Sequence, residues 1–189
     1  MIGKALQFTQ SILDQFLRNR YNLDESIVVL NNVVDSSGAI PISNSNKIVI
    51  SLINIEKETS KPFYIRNQKL TNGNFAELNP EERYNLDLLV SSNFDDYNET
   101  LKFLNASILF FQINNCTDSS TYSSIPKGLA KLEYDIEKVN YHQMHSLWTA
   151  MGAKYKPSAI YKTRLVTVKG NEPSSYTSAI TNQSNLVEA

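Results

Sequence analysis

Apolar residues at Ile2, Leu6, Ile12, Leu13, Phe16 and Leu17 keep to one side of a 3.6-residue repeat, with Lys4, Gln10, Asp14 and Arg18 between them. That spacing predicts an amphipathic helix over roughly the first twenty residues, one face packed on the rest of the domain. Two β-branched runs follow, Ile27 to Val34, bounded by the turn-prone "DSSG", and Lys47 to Ile55. Both read as strands that pair as a ribbon. From Glu56 to Arg83 the pattern breaks down around Pro62, Gly73, Pro80 and many Asn, which predicts a long irregular excursion.

Periodicity returns at Tyr84, Leu86, Leu88 and Val90, which alternate with Asn85, Asp87 and Leu89, the two-residue period of a strand with one buried face. Asp95 and Asp96 stand where a helix N-cap belongs, ahead of Tyr97, Leu101, Leu104, Ile108 and Phe111, a strongly apolar helical stripe expected to be buried at the centre. Beyond the Ser-rich loop "NNCTDSSTYSSIPKG", Leu132, Tyr134 and Ile136 alternate with charged residues between Lys131 and Val139, a fourth strand with a polar outer face. A short helix from Tyr141 to Met151 ends at Gly152, and a fifth strand begins through Pro157. Residues 169–189 are rich in Ser, Thr and Asn without apolar periodicity, and read as a loose end or as an arm that orders on a partner. The order α-β-β-β-α-β-α-β predicts an α+β fold with a mainly antiparallel sheet flanked by helices.

At 189 residues and 41% hydrophobic content, the chain suits one packed core. A formal net charge of −1 lacks the basic excess that neutralises phosphates, so no nucleic-acid partner is expected. The single cysteine, Cys116, cannot form an intrachain disulfide, and a reducing compartment is the default. No apolar run approaches a membrane span, Ile2 rather than glycine follows Met1, and the first residues lack the basic lead and apolar stretch of a secretory signal. A cytoplasmic location and no membrane partner are the expectation, which leaves the sequons at Asn98, Asn105, Asn115 and Asn182 without weight.

Chemistry-bearing motifs are sparse. His142 and His145 share a helix face, but no carboxylate or cysteine at ligand spacing completes a zinc set, so no metal is expected. "GKAL" lacks the upstream strand and spaced glycine of a phosphate loop, and no G-x-S-x-G elbow exposes a nucleophile. Glu81-Glu82 and Asp95-Asp96 precede ordered elements, where capping and solvation account for them. Trp148 and Tyr141 are assigned to the core, with an interface anchor as the alternative for Trp148. Neither a cofactor nor an enzymatic activity is indicated.

"GAKYKPSAIYKTRLVTV", Gly152 to Val168, crowds cations and tyrosines in an otherwise balanced chain. On a strand, Ile160, Lys162, Arg164 and Val166 share one face, and Tyr161, Thr163 and Leu165 the other. Proline makes the approach rigid, and tyrosine and arginine are enriched at protein interfaces. Lys154, Tyr155, Lys156, Pro157, Tyr161, Lys162 and Arg164 are therefore the candidate protein-interface residues; a solvated sheet face is the alternative.

Three blocks, "SLINIEKETSKPFYIRN", "YNLDLLVSSNFDDYNETLKFLNASILFFQ" and "LEYDIEKVNYHQMHSLWTAMGAKYKPSAIYKTRLVTV", resemble the successive segments of the tail-terminator or cap proteins of extracellular phage-tail-like contractile injection systems, of the antifeeding-prophage and Photorhabdus virulence cassette kind. The resemblance spans roughly residues 2 to 168 and is most specific in "LWTAMGAKYKPSAIYK". It implies a phage tail-terminator-like α+β domain over 1–168 with an arm or tail over 169–189, and no catalysis. It also implies assembly with itself as a hexameric ring on the last layer of inner tube and sheath, with the tape-measure protein helping to fix length. Such a cap ends tube and sheath polymerisation and holds the sheath to the tube at the end distal to the baseplate, first in the cytoplasm and then in a released particle. A baseplate or tube-sheath adaptor ring, and a small ligand-binding or enzymatic accessory protein, stand as alternatives. The basic stretch would then face acidic residues of a neighbouring cap, tube or sheath subunit.

Overall fold

In the computed structural model, residues 1–58, 67–69, 75–78, 82–129, 131–168 and 173–177 are described. The first half comprises α1 (Ile2–Tyr21), β1 (Val28–Leu30), a short 3-10 turn (Ile42–Asn44), β2 (Lys47–Lys57), β3 (Asn67–Lys69), β4 (Phe75–Leu78) and β5 (Glu82–Asn93). The second comprises α2 (Tyr97–Ile113), β6 (Cys116–Asp118), β7 (Lys131–Ile136), α3 (Tyr141–Ala150), β8 (Ser158–Val168) and β9 (Pro173–Thr177). Six strands form the main sheet in the order β1-β2-β5-β8-β7-β6, antiparallel except for the β1–β2 pair. The fold is α+β, as the element pattern predicts.

Helix α1 buries Ala5, Leu6, Phe8, Ile12, Leu13 and Leu17; of the stripe its repeat predicts, Ile2 and Phe16 are half-buried, and Ala5 and Phe8 complete the buried face. It stops at Asn22, which takes the left-handed conformation (φ 52°, ψ 53°) that asparagine tolerates better than most side chains. One helical carboxylate then organises the next strand. Asp14 Oδ1 accepts hydrogen bonds from Ser26 Oγ (2.9 Å) and from the backbone N–H groups of Ile27 (2.7 Å) and Val28 (2.9 Å), while Gln10 Nε2 donates to the Val28 carbonyl at 2.8 Å.

The runs at Ile27–Val34 and Lys47–Ile55 do pair, but in parallel, with Val28 opposite Ile48, and β1 ends at Leu30. Side chains take over from the ladder beyond that point: Asn31 Nδ2 donates to Asn44 Oδ1 (2.9 Å), and Asn44 Nδ2 to the Asn32 carbonyl (2.8 Å). A parallel partner needs a crossover rather than a tight turn, and residues 31–46 supply it.

The stretch expected to be irregular from Glu56 to Arg83 is partly ordered. Strand β2 continues to Lys57, β5 already begins at Glu82, and β3 and β4 pair antiparallel between them. β9 joins β4 to complete a second, three-stranded sheet; the remainder of 169–189 lies outside the described residues. β6 within the Ser-rich loop was not expected. It pairs with β7 and runs into a turn in which Asp118 Oδ1 accepts from the Ser120 and Thr121 N–H groups (2.9 and 3.0 Å). The hydrogen bond from the Ser120 hydroxyl, then those from the Thr121 N–H and hydroxyl, lower the Asp118 carboxyl to about 2.

Helices α1 and α2 cover one face of the main sheet. Leu86, Leu88, Val90, Leu132, Tyr134 and Tyr161 meet Leu13, Leu17, Phe103, Phe110 and Phe111 there. The N-cap of α2 is Asp96, whose side chain accepts from the Asn98 N–H. Its buried face is Thr100, Phe103, Ala106, Ser107, Phe110 and Phe111. Of the stripe assigned to the core, only Phe111 is buried, whereas Tyr97 and Leu101 are exposed. Both sides of this helix are apolar, and the three aromatics Phe103, Phe110 and Phe111 remove more surface from water than the Tyr97–Leu101 side would. Strand β5 is buried on both faces, since Leu89 joins Trp148 and Ile160 in a smaller cluster under α3. β7 stops at Ile136, short of Val139, and Ile136 is exposed. The result is three layers: α1 with α2, the sheet, and α3.

Candidate protein-interaction site

The α3 side of the sheet divides into an apolar end and a charged end. At the apolar end, α3 opens with an N-cap at Asn140, whose side chain accepts from the Gln143 N–H (2.9 Å) while Gln143 returns the bond to the Asn140 N–H (3.0 Å). This reciprocal pair satisfies two of the free donors at the helix start. The helix closes at Gly152, whose φ of +67° suits a residue without a Cβ. Trp148, 3% exposed, is the only buried residue of α3, and its ring meets Tyr155 edge-on at 5.7 Å.

Along the outer side of this pair runs a cavity of about 630 Å³ lined by Val139, Tyr141, Met144, His145, Trp148 and Tyr155, among others. Tyr141, assigned to the core by its apolar character, is instead 97% exposed at the rim. It stands in the first turn of α3, outside the small cluster that Trp148 forms with Leu89 and Ile160.

At the charged end, Lys162 is the hub. Its Nζ lies 2.9 Å from Glu56 Oε2, 3.4 Å from Glu137 Oε1 and 3.9 Å from Asp87 Oδ1, and its side chain is only 18% exposed. The hydrogen bond that Lys162 Nζ donates to Glu56 leads the effects that hold the Lys162 ammonium above its ordinary value. Burial pushes the Asp87 carboxyl up, against the opposing hydrogen bond from Asn54 and the charge of Lys162. Arg164 Nε donates to Asp135 Oδ2 at 2.7 Å on the neighbouring strand.

The predicted interface residues therefore separate. Lys154 and Tyr155 are exposed, with Tyr155 at 63%, and Lys156 and Pro157 are half-buried beside them. Lys162 and Arg164 do share a face, but both are held by carboxylates of the same chain. Tyr161 lies in the core at 3% exposure, stacked on Phe111 with ring centres 4.1 Å apart, and burial raises its hydroxyl to about 12.

Sequence reasoning missed Glu56, Asp87, Asp135 and Glu137 as partners of the two cations. The alternation of Glu133 and Asp135 along β7, continued by Glu137 just past its end, was the available signal. It also missed the groove, which the spacing of Tyr141, Met144 and Trp148 along one helix side foreshadows. Among the described residues, no group of three or more His, Cys, Asp or Glu is placed to hold a metal, and no helix is long and apolar enough to cross a membrane.

Solved structures share this fold across nearly the whole chain. The PVC sheath/tube terminator of an extracellular contractile injection system, in its extended state, matches with a TM-score of 0.61 and 16% identity over 95% of this chain. The anti-feeding prophage cap, a tube terminating cap, matches with a TM-score of 0.61 and 11% identity over 94%. This chain spans 61% and 59% of those two chains, so both are substantially longer. No curated protein matches it significantly. The sequence model of the Pvc16 N-terminal domain matches residues 9–182, and the chain belongs to that family.

Proposed function

We propose that this protein is a structural cap, a tail terminator, of a contractile injection system. In this reading it ends polymerisation of the inner tube and sheath and holds the sheath to the tube at the end distal to the baseplate. The observation that carries it is the likeness to two terminator structures over almost the full length of the chain. The role is architectural rather than catalytic, and it acts in a particle released from the cell. A homohexameric ring is the arrangement that fits a tube end, because a closed ring needs one patch complementary to a different patch on its neighbour. The tape-measure protein is a further partner in setting length.

Within that ring the exposed residues Lys154 and Tyr155, with Lys156 and Pro157, form the surface offered to a neighbouring subunit. Lys162, Arg164 and Tyr161 support it from the sheet beneath. Deleting the gene and measuring tube and sheath lengths by electron microscopy tests the proposal. A broadened length distribution, or sheaths that contract or detach early, is the expected result. Particles lacking a baseplate would point to an adaptor ring instead, and capped particles of unchanged length would overturn the terminator role.

A further inference from the structure

The groove along α3 is apolar and aromatic, yet the chain segment that forms it carries one sign of charge. From Lys138 to Val168 the sequence contains no Asp or Glu. Five cations fall in that span, and two of them, Lys162 and Arg164, are neutralised across the sheet. Lys138, Lys154 and Lys156 make no ion pair among the described residues. Lys138 directly precedes the groove residue Val139, and Lys154 and Lys156 bracket Tyr155. Ala153 lines both the groove and an adjoining depression that Lys154 and Lys156 line as well. Glu137, the nearest carboxylate before this span, is already engaged by Lys162 at 3.4 Å.

Two further features suit an occupant rather than bare solvent. Tyr141 and Tyr155 present large exposed rings at the rim, the residue type that anchors interfaces at low entropic cost. Trp148 lines the groove as well, an aromatic surface on which an apolar side chain can pack.

We infer that this groove is a docking site for an acidic peptide segment with apolar anchors, contributed by an adjoining subunit of the particle. Apolar side chains of the segment fill the space between Val139, Met144 and Trp148, and its carboxylates face Lys138, Lys154 and Lys156. In naming a particle subunit as the source, the inference rests on the structural-cap reading. The binding chemistry is a property of the isolated chain.

Trp148 is the only tryptophan of the protein, so its emission reports on the groove directly. The full chain would be titrated with a synthetic amphipathic peptide of Glu and Leu, and with the same peptide carrying Lys in place of every Glu. The expected result is a saturable change of Trp148 emission with the acidic peptide alone, weakened about tenfold by high salt, as rim charges are screened. K154E/K156E should lose at least about tenfold in affinity, whereas K154R/K156R, equally exposed and of the same charge, should retain it. No saturable change, equal binding of the Lys peptide, or indifference to the charge reversal would each overturn the inference. Particle length in the deletion strain reads the terminator role separately. Binding without a length defect leaves the groove standing and removes the cap; a length defect without binding does the reverse.

Discussion

Lys162 faces three carboxylates, an arrangement in which one positive charge offsets mutual repulsion among Glu56, Asp87 and Glu137. Its pKa is raised above 10.5, so its contribution is complete below that pH and is lost as pH climbs through the folded-state value. Asp87 is raised above 3.8, so its proton favours the folded state, and that contribution fades as pH rises through the window just above 3.8. Replacing Lys162 by Met should therefore cost about 2 kcal/mol near neutral pH, where the carboxylates are ionised without a counter-charge. The cost should shrink as pH falls into the carboxylate range and protonation relieves the repulsion. Urea denaturation of both proteins across that range measures it, and a penalty independent of pH would contradict the hub assignment. The sequence shows that Lys162 and Arg164 share a face, because side chains in a strand alternate strictly. It does not show their partners, since Glu56 stands 106 positions away and Asp135 stands 29 away. A charge satisfied by long-range pairing looks, in one dimension, like a free charge.

Between elements, the ladder that joins β1 to the rest of the sheet is short. It has three residues, lies at an edge and pairs in parallel, a geometry slightly less stable per residue than the antiparallel one. Asp14 compensates from α1 by accepting from two backbone N–H groups that face away from β2 or precede the strand. Asp14→Ala should strand both donors and cost about 3 kcal/mol, while Asp14→Asn, which keeps an acceptor oxygen, should cost less than half as much. Denaturation midpoints of the two variants test this; equal midpoints would mean that the carboxylate position serves packing alone. Helix α1 was legible because its apolar side is single and its opposite side polar. Helix α2 was legible in extent and cap, not in orientation: Tyr97, Leu101, Leu104 and Ile108 form one stripe, and Phe103, Ala106 and Phe110 another. Periodicity cannot choose between two apolar stripes; the choice depends on what the sheet presents.

For the molecule as a whole, the three layers are held together unequally. On one side of the sheet, α1 contributes Ala5, Leu6, Phe8, Ile12, Leu13 and Leu17 and α2 contributes Phe103, Ala106, Phe110 and Phe111 to one continuous cluster. On the other, α3 contributes Trp148 alone, seated on Leu89 and Ile160 with half-buried neighbours such as Met144 and Leu147. Apolar burial scales with area removed from water, so α3 should open without the rest of the domain unfolding, whereas α1, α2, β5 and β8 should open only together. Native-state hydrogen exchange in increasing urea distinguishes the two cases. Amides of α3 should exchange at low free energy with little urea dependence, and those of the central strands should converge on global unfolding. A loosely attached layer is also one that a bound partner can order. Adding the acidic Glu/Leu peptide should slow exchange selectively in 141–150, because a ligand stabilises the states that bind it. If α3 instead exchanged with the same urea dependence as α1, the domain would be a single cooperative unit, and the groove would be a fixed surface rather than one that tightens on its occupant.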